Sequence, residues 1–168
     1  MMIKRSTIAG LLAIIWMCII FVFSSQPADE SSEVSVGFSY RVVSSAGFFL
    51  HLPWDEEEFR KISTAIEGYI RKAAHMSEYA ILTILLFLWL ENWQFKVLKR
   101  SVIAAFLAML YAISDEFHQL FVQGRAGSVR DVIIDSAGAV LGILAFIGVK
   151  ECISFLWNRH KSREIGLS

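Results

Sequence analysis

The chain is 168 residues long, 55% hydrophobic and 19% charged, with a mean hydropathy of +0.53. Soluble domains carry about 25% charged residues, so this is the composition of a membrane protein of single-domain length. The 16 basic and 16 acidic side chains cancel, which leaves no charge excess to draw a nucleic-acid backbone. With 2 prolines and 2 cysteines, the chain is neither a Pro-rich disordered segment nor a disulfide framework.

A membrane-spanning helix needs about 20 mostly apolar residues. Residues 6–28 carry no charge, which predicts a first span at about 7–25. Lys4 and Arg5 precede it as they would a secretory signal. Its apolar core is longer than the roughly 7–15 residues of a signal and no A-x-A site follows, so an uncleaved anchor is expected. A second span is expected at 73–91, interrupted by His75 and Glu78. A third, at 101–121, is uncharged as far as Ser114 and then passes Asp115 and Glu116. A fourth, at 131–150, contains the single acid Asp135 after its first residue. The expected fold is an all-α integral membrane protein, one domain over 1–168, with four transmembrane helices, of which spans two, three and four connect up and down.

Four spans put both termini on one side. That side holds Lys4, Arg5, Lys96, Lys99, Arg100, Lys150, Arg159, Lys161 and Arg163, and the other holds Arg41, Arg60, Lys61, Arg71, Lys72, Arg125 and Arg130. The denser basic set predicts cytoplasmic termini and a large outer loop over residues 24–72. In that loop Phe59, Ile62, Ile66, Tyr69 and Ala73 recur at helical steps. Asp55, Glu56, Glu57 and Glu58 precede them as a solvated helix start. One or two amphipathic interfacial helices are expected there, the second leading into the second span and the other from the apolar segment 34–52. Cys18 in the first span and Cys152 beyond the fourth are not expected to form a disulfide.

Ionisable groups inside a membrane mark function by default, and a rise of 1.5 Å per residue gives their depth. Below an outer boundary at Lys72, His75 lies about 5 Å down and Glu78 about 9 Å. Counting from Ser101, Asp115 reaches about the same 9 Å layer, and Asp135 lies about 6 Å below Asp131. Arg71, His75 and Glu78 share one helix face, as do Asp115 with Gln119, and Asp131 and Asp135 with Gly138 and Gly142. The Gly138-x-x-x-Gly142 spacing invites a close partner helix. Between spans three and four, Gly124-Arg125-Ala126-Gly127-Ser128-Val129-Arg130-Asp131 combines a glycine-rich turn, a Ser128-x-x-Asp131 capping pattern and two arginines. These can hold an anion such as a lipid phosphate, or they can neutralise the nearby acids.

Three ordered blocks resemble the VanZ-like membrane protein family: residues 71–79 (RKAAHMSEY), residues 114–119 (SDEFHQ), and Gly124-Arg125 followed by residues 128–131. A weaker piece, Phe23-Ser24-Ser25-Gln26, closes the first span. The resemblance implies a bacterial envelope protein of the type associated with resistance to teicoplanin-like glycopeptides. The candidate site is His75, Glu78, Asp115 and Glu116 as possible catalytic groups, with Arg71, Gln119, Arg125, Arg130, Asp131 and Asp135 binding ligand.

Three readings stay open. A binding or shielding protein would recognise a membrane lipid, a lipid-linked envelope precursor or a glycopeptide's acyl tail, with Phe87, Trp89, Phe106 and Tyr111 as apolar walls. An enzyme would use His75 as acid or base, oriented by Glu78 or Asp115, with an activated water attacking and a divalent ion as a variant. A purely structural cluster would pair Arg71 with Glu78 and His75 with Asp115 to hold the helices in register. A transporter is disfavoured because the polar layer stops short of the bilayer midplane. No cofactor or oligomeric state is specified, and His51 and His118 are assigned no role.

Overall fold

The computed structural model describes residues 4–165, with the side chains of His160 and of residues 162–165 outside the description. Arg163, counted in the basic balance above, therefore lies outside the described side chains. The described elements are α1 (Arg5–Ser24), α2 (Ala28–Phe49), α3 (Glu56–Trp89) with a 3-10 turn after it (Leu90–Trp93), α4 (Val97–Gln119) and α5 (Val129–Ile165). Helices α1, α3, α4 and α5 are each long and apolar enough to cross a membrane. The chain is thus all-helical and multi-pass.

Side-chain register gives the topology. Trp16 donates to the Glu78 carbonyl and Ser6 to Asn92, so α1 and α3 run antiparallel. Tyr111 donates to the Met17 carbonyl and Gln119 to Ser24, so α1 and α4 run parallel. Lys72 meets Asp131, and Phe87 meets Phe146, so α3 and α5 run parallel. Spans two, three and four thus follow the expected up-and-down path, with α3 touching all four other helices.

Helix α3 has 34 residues and α5 has 37, or about 51 and 55 Å, well beyond a hydrocarbon slab of about 30 Å. The amphipathic segment expected before the second span is therefore continuous with it. Asp55 starts α3 with a reciprocal capping box: Glu58 N–H donates to its carboxylate at 2.9 Å, and the Glu58 carboxylate accepts from Asp55 N–H at 3.2 Å. The acids of the first turn lie at the positive end of the helix dipole. Helix α2 runs back antiparallel along the first half of α3, through Ser35–Glu67 and the Arg60–Tyr40 cation–π contact. The two form a hairpin at the end of the bundle opposite the termini.

The core sits where α3, α4 and α5 meet. Ala104, Ala108 and Ala112 give α4 a fully buried stripe of small residues, which lets helix backbones approach closely. On α5, a methyl group at Gly138 would collide with the Met76 backbone, and one at Gly142 with Ala80. The glycines thus seat α5 directly on α3, as their spacing implied. Gly148 has open space around it. Gly138→Val should cost about 1–3 kcal/mol by overpacking, read as a lower melting temperature in detergent, whereas Gly148→Val should be near neutral. Equal melting temperatures for the two variants would contradict the close α3–α5 seating.

Candidate functional site

The close seating of α5 on α3 and the hairpin of α2 on α3 bring the polar residues of three spans to one end of the bundle. Two adjoining cavities form there. One, of about 200 Å³, lies between the end of α1, α2 and the middle of α3, with Phe23, Val34, Phe38, Ile70 and Ala74 as its apolar walls. The other, of about 190 Å³, reaches α4, α5 and the 120–128 loop, and its polar walls are Lys72, Glu116, Gln119 and Asp131. Ser31, Arg71, His75 and Arg125 border both. They form the partition between an apolar chamber and a polar one.

His75 Nδ1 lies 3.2 Å from Glu78 Oε2, one helical step along α3. Asp115 and Asp135 are within electrostatic range of the ring but are only 4% and 3% exposed and line neither chamber. Gln119 ties Asp115 to α1, donating to Ser24 Oγ at 3.1 Å and to Asp115 Oδ2 at 3.3 Å. Asp115 Oδ1 and the Tyr79 hydroxyl are buried without a hydrogen-bond partner among the described residues.

The loop between α4 and α5 departs from the capping pattern. Glu116 of α4 accepts the Ser128 N–H at 2.7 Å, so a side chain from another helix satisfies the donor that a capping box would satisfy locally. Asp131 is thereby free to take Lys72 Nζ at 2.6 Å. Gly124, at φ +74° beside Ala28, makes the backbone turn that only glycine adopts without strain. The loop is held to the start of α2 by the Ala28 N–H bond to the Gln123 carbonyl at 3.2 Å.

Arg125 donates to the carbonyls of Gln26, at 3.0 Å, and Phe23, at 3.4 Å. It thereby caps the negative end of α1, and among the described residues it has no carboxylate partner. Burial, and then the positive charge of nearby Arg71, lower the Arg125 pKa from its ordinary value. Arg71 has one acid, Glu67, at 3.5 Å. Both guanidinium groups border the partition, with Glu67 paired to Arg71 and with Asp115, Glu116 and Glu78 within electrostatic range of Arg125.

Several expected pairings are replaced. Arg71 pairs with Glu67 on its own helix, not with Glu78. His75 bonds Glu78, not Asp115. Neutralisation of the loop acids falls to Lys72, while Arg130 is exposed and lies outside both cavities. Phe87 is a core residue beneath the Arg100 guanidinium, which is 3.9 Å from its ring centroid. Trp89 packs at Gly10 and Tyr111 on α1, while Phe106 is exposed and borders neither chamber. Phe23, Val34 and Phe38 supply the apolar walls instead. Ser31 and Lys72 were not selected from sequence; Lys72 carries a signal in standing next to Arg71, Ser31 none. Cys18 and Cys152 are free. No three His, Cys, Asp or Glu side chains converge as a metal site among the described residues.

The loop contacts differ in weight. Glu116→Ala strands a part-buried N–H and should cost about 1–3 kcal/mol. Asp131→Asn loses an ion pair whose side chains are 36% and 40% exposed, worth at most about 1 kcal/mol. Thermal unfolding should therefore rank Glu116→Ala below Asp131→Asn, and the reverse order would remove Glu116 from its anchoring role.

The family model described as VanZ/LLP1 matches residues 9–153. No curated protein and no solved structure matches the chain. The family match takes in every cavity-lining residue and most of the length of the chain, which belongs to the VanZ/LLP1 family.

Proposed function

We propose that this chain is a bacterial cell-envelope protein with cytoplasmic termini and an outward-facing site. It holds a lipid-linked envelope precursor there and so lowers susceptibility to teicoplanin-type glycopeptides. The observation that carries this reading is the partition. Arg71 and Arg125, each within electrostatic influence of the other, stand where an apolar chamber meets a polar one. An anionic group between them relieves their repulsion and takes charge-assisted hydrogen bonds from both. An apolar chain leading away from that group fits against Phe23, Val34 and Phe38, while sugar or peptide groups fit the chamber of Lys72, Glu116, Gln119 and Asp131. A head group held in this way is withheld from an antibiotic that must bind it.

Arg71→Gln and Arg125→Gln should each weaken binding of a lipid-linked precursor roughly tenfold to a hundredfold, the worth of a charge-assisted hydrogen bond. Cells expressing either variant at normal abundance should lose protection in a glycopeptide susceptibility assay, and full protection by both would contradict the proposal. Orientation is tested separately. Gly127 is unsuited to a cysteine probe, because a Cβ there meets the Glu116 carbonyl, whereas Gly37 on α2 has open space. With Cys18 and Cys152 replaced by Ser, Gly37→Cys should react in intact cells with a membrane-impermeant maleimide. Reaction only after the cells are lysed would reverse the orientation.

A further inference from the structure

The hydroxyl of Ser31 stands apart from most other helical serines. Ser25, Ser39, Ser63, Ser77, Ser101 and Ser114 each donate to a carbonyl about one turn back, and Ser35 donates to Glu67. Ser31 makes no side-chain hydrogen bond among the described residues, is half-buried, and borders both chambers together with His75. In the neutral imidazole, an Nδ1 proton shared with Glu78 leaves Nε2 as the acceptor. A hydroxyl without a partner, an imidazole and a carboxylate bonded to that imidazole are the residue types of a nucleophilic triad, gathered on one partition with Ser31 and His75 outside hydrogen-bond contact. Arg71 and Arg125 stand at the same partition and would hold the substrate's anionic head. Ser31 also lies in the first turn of α2, which begins at Ala28, and a helix start favours developing negative charge.

We infer that the partition is a serine esterase centre, with Ser31 as nucleophile, His75 as general base and acid, and Glu78 as the residue positioning His75. Its substrate class is a carboxylic ester joining an apolar acyl chain to an anionic head. The inference rests on the amphiphile-binding reading for where that bond lies, at the boundary between the chambers. Ser31 Oγ bonds to the ester carbonyl carbon and its proton passes to His75 Nε2. The bond from that carbon to the head-group oxygen breaks, and the departing oxygen takes the proton from His75. Water, deprotonated by His75, then attacks the acyl–Ser31 ester, releasing the carboxylic acid and restoring the serine hydroxyl. One ester and one water give one acid and one alcohol.

The test is labelling of the full-length chain, purified in detergent, with a fluorophosphonate, and location of the adduct by peptide mass spectrometry. The expected result is an adduct on Ser31, absent from Ser31→Ala and formed about a hundredfold more slowly in His75→Ala, the lower end of the range for loss of a general base. Glu78→Gln should slow it by less, since a glutamine can still accept the Nδ1 proton. Size-exclusion profiles matching the unsubstituted protein establish that each variant is folded. No adduct on Ser31 in folded protein, or labelling unchanged by His75→Ala, overturns the esterase. Neither result touches the binding reading, whose own failure shows as lipid binding indifferent to Arg71 and Arg125.

Discussion

The approach of α5 to α3 through Gly138 and Gly142 sets the geometry of everything at the cavity end of the bundle. Side chains larger than hydrogen at those positions would collide with Met76 and Ala80, so the two backbones are held at contact and in a single register. That register places Asp131 opposite Lys72 and Asp135 near His75. It also fixes where the 120–128 loop leaves α4 and returns. Of the buried acids Asp115 and Asp135, Asp115 is linked to Ser24 through the amide of Gln119, and His75 lies within electrostatic range of both.

Upon this frame the charges divide into those with local partners and those without. Lys72 pairs with Asp131, Arg71 with Glu67, and Glu116 accepts the Ser128 N–H. Arg125 donates its hydrogen bonds to the neutral carbonyls of Phe23 and Gln26, at and just beyond the end of α1. It does so beside Arg71 and at the junction of two cavities of opposite polarity. On the proposed reading, the half-buried Arg125 charge is available to an anionic ligand.

The four long apolar helices were legible because hydropathy needs only local sequence. Local sequence also showed the glycine face of α5 and the acidic start of α3. What it concealed depends on the third dimension. Hydropathy breaks at Arg71 and Lys72, so α3 read as two helices, yet a polar face alone does not end a helix and the chain runs on to Trp89. Ser128 and Asp131 have capping spacing, but Glu116 from α4 competes successfully for the Ser128 N–H. Arg71 has acids at both Glu67 and Glu78, and the nearer helical step wins. Ser31 carries no signal in the sequence, since its position on the partition exists only once α2 folds back along α3.

The central claim is that an anionic amphiphile occupies the partition between Arg71 and Arg125. Native mass spectrometry of the full-length chain released from membrane nanodiscs tests it most directly. One anionic lipid retained per chain, lost in the Arg71→Gln/Arg125→Gln double variant and kept in Arg130→Gln, is the predicted result. Retention that is absent, or that is equal in all three proteins, would contradict the account.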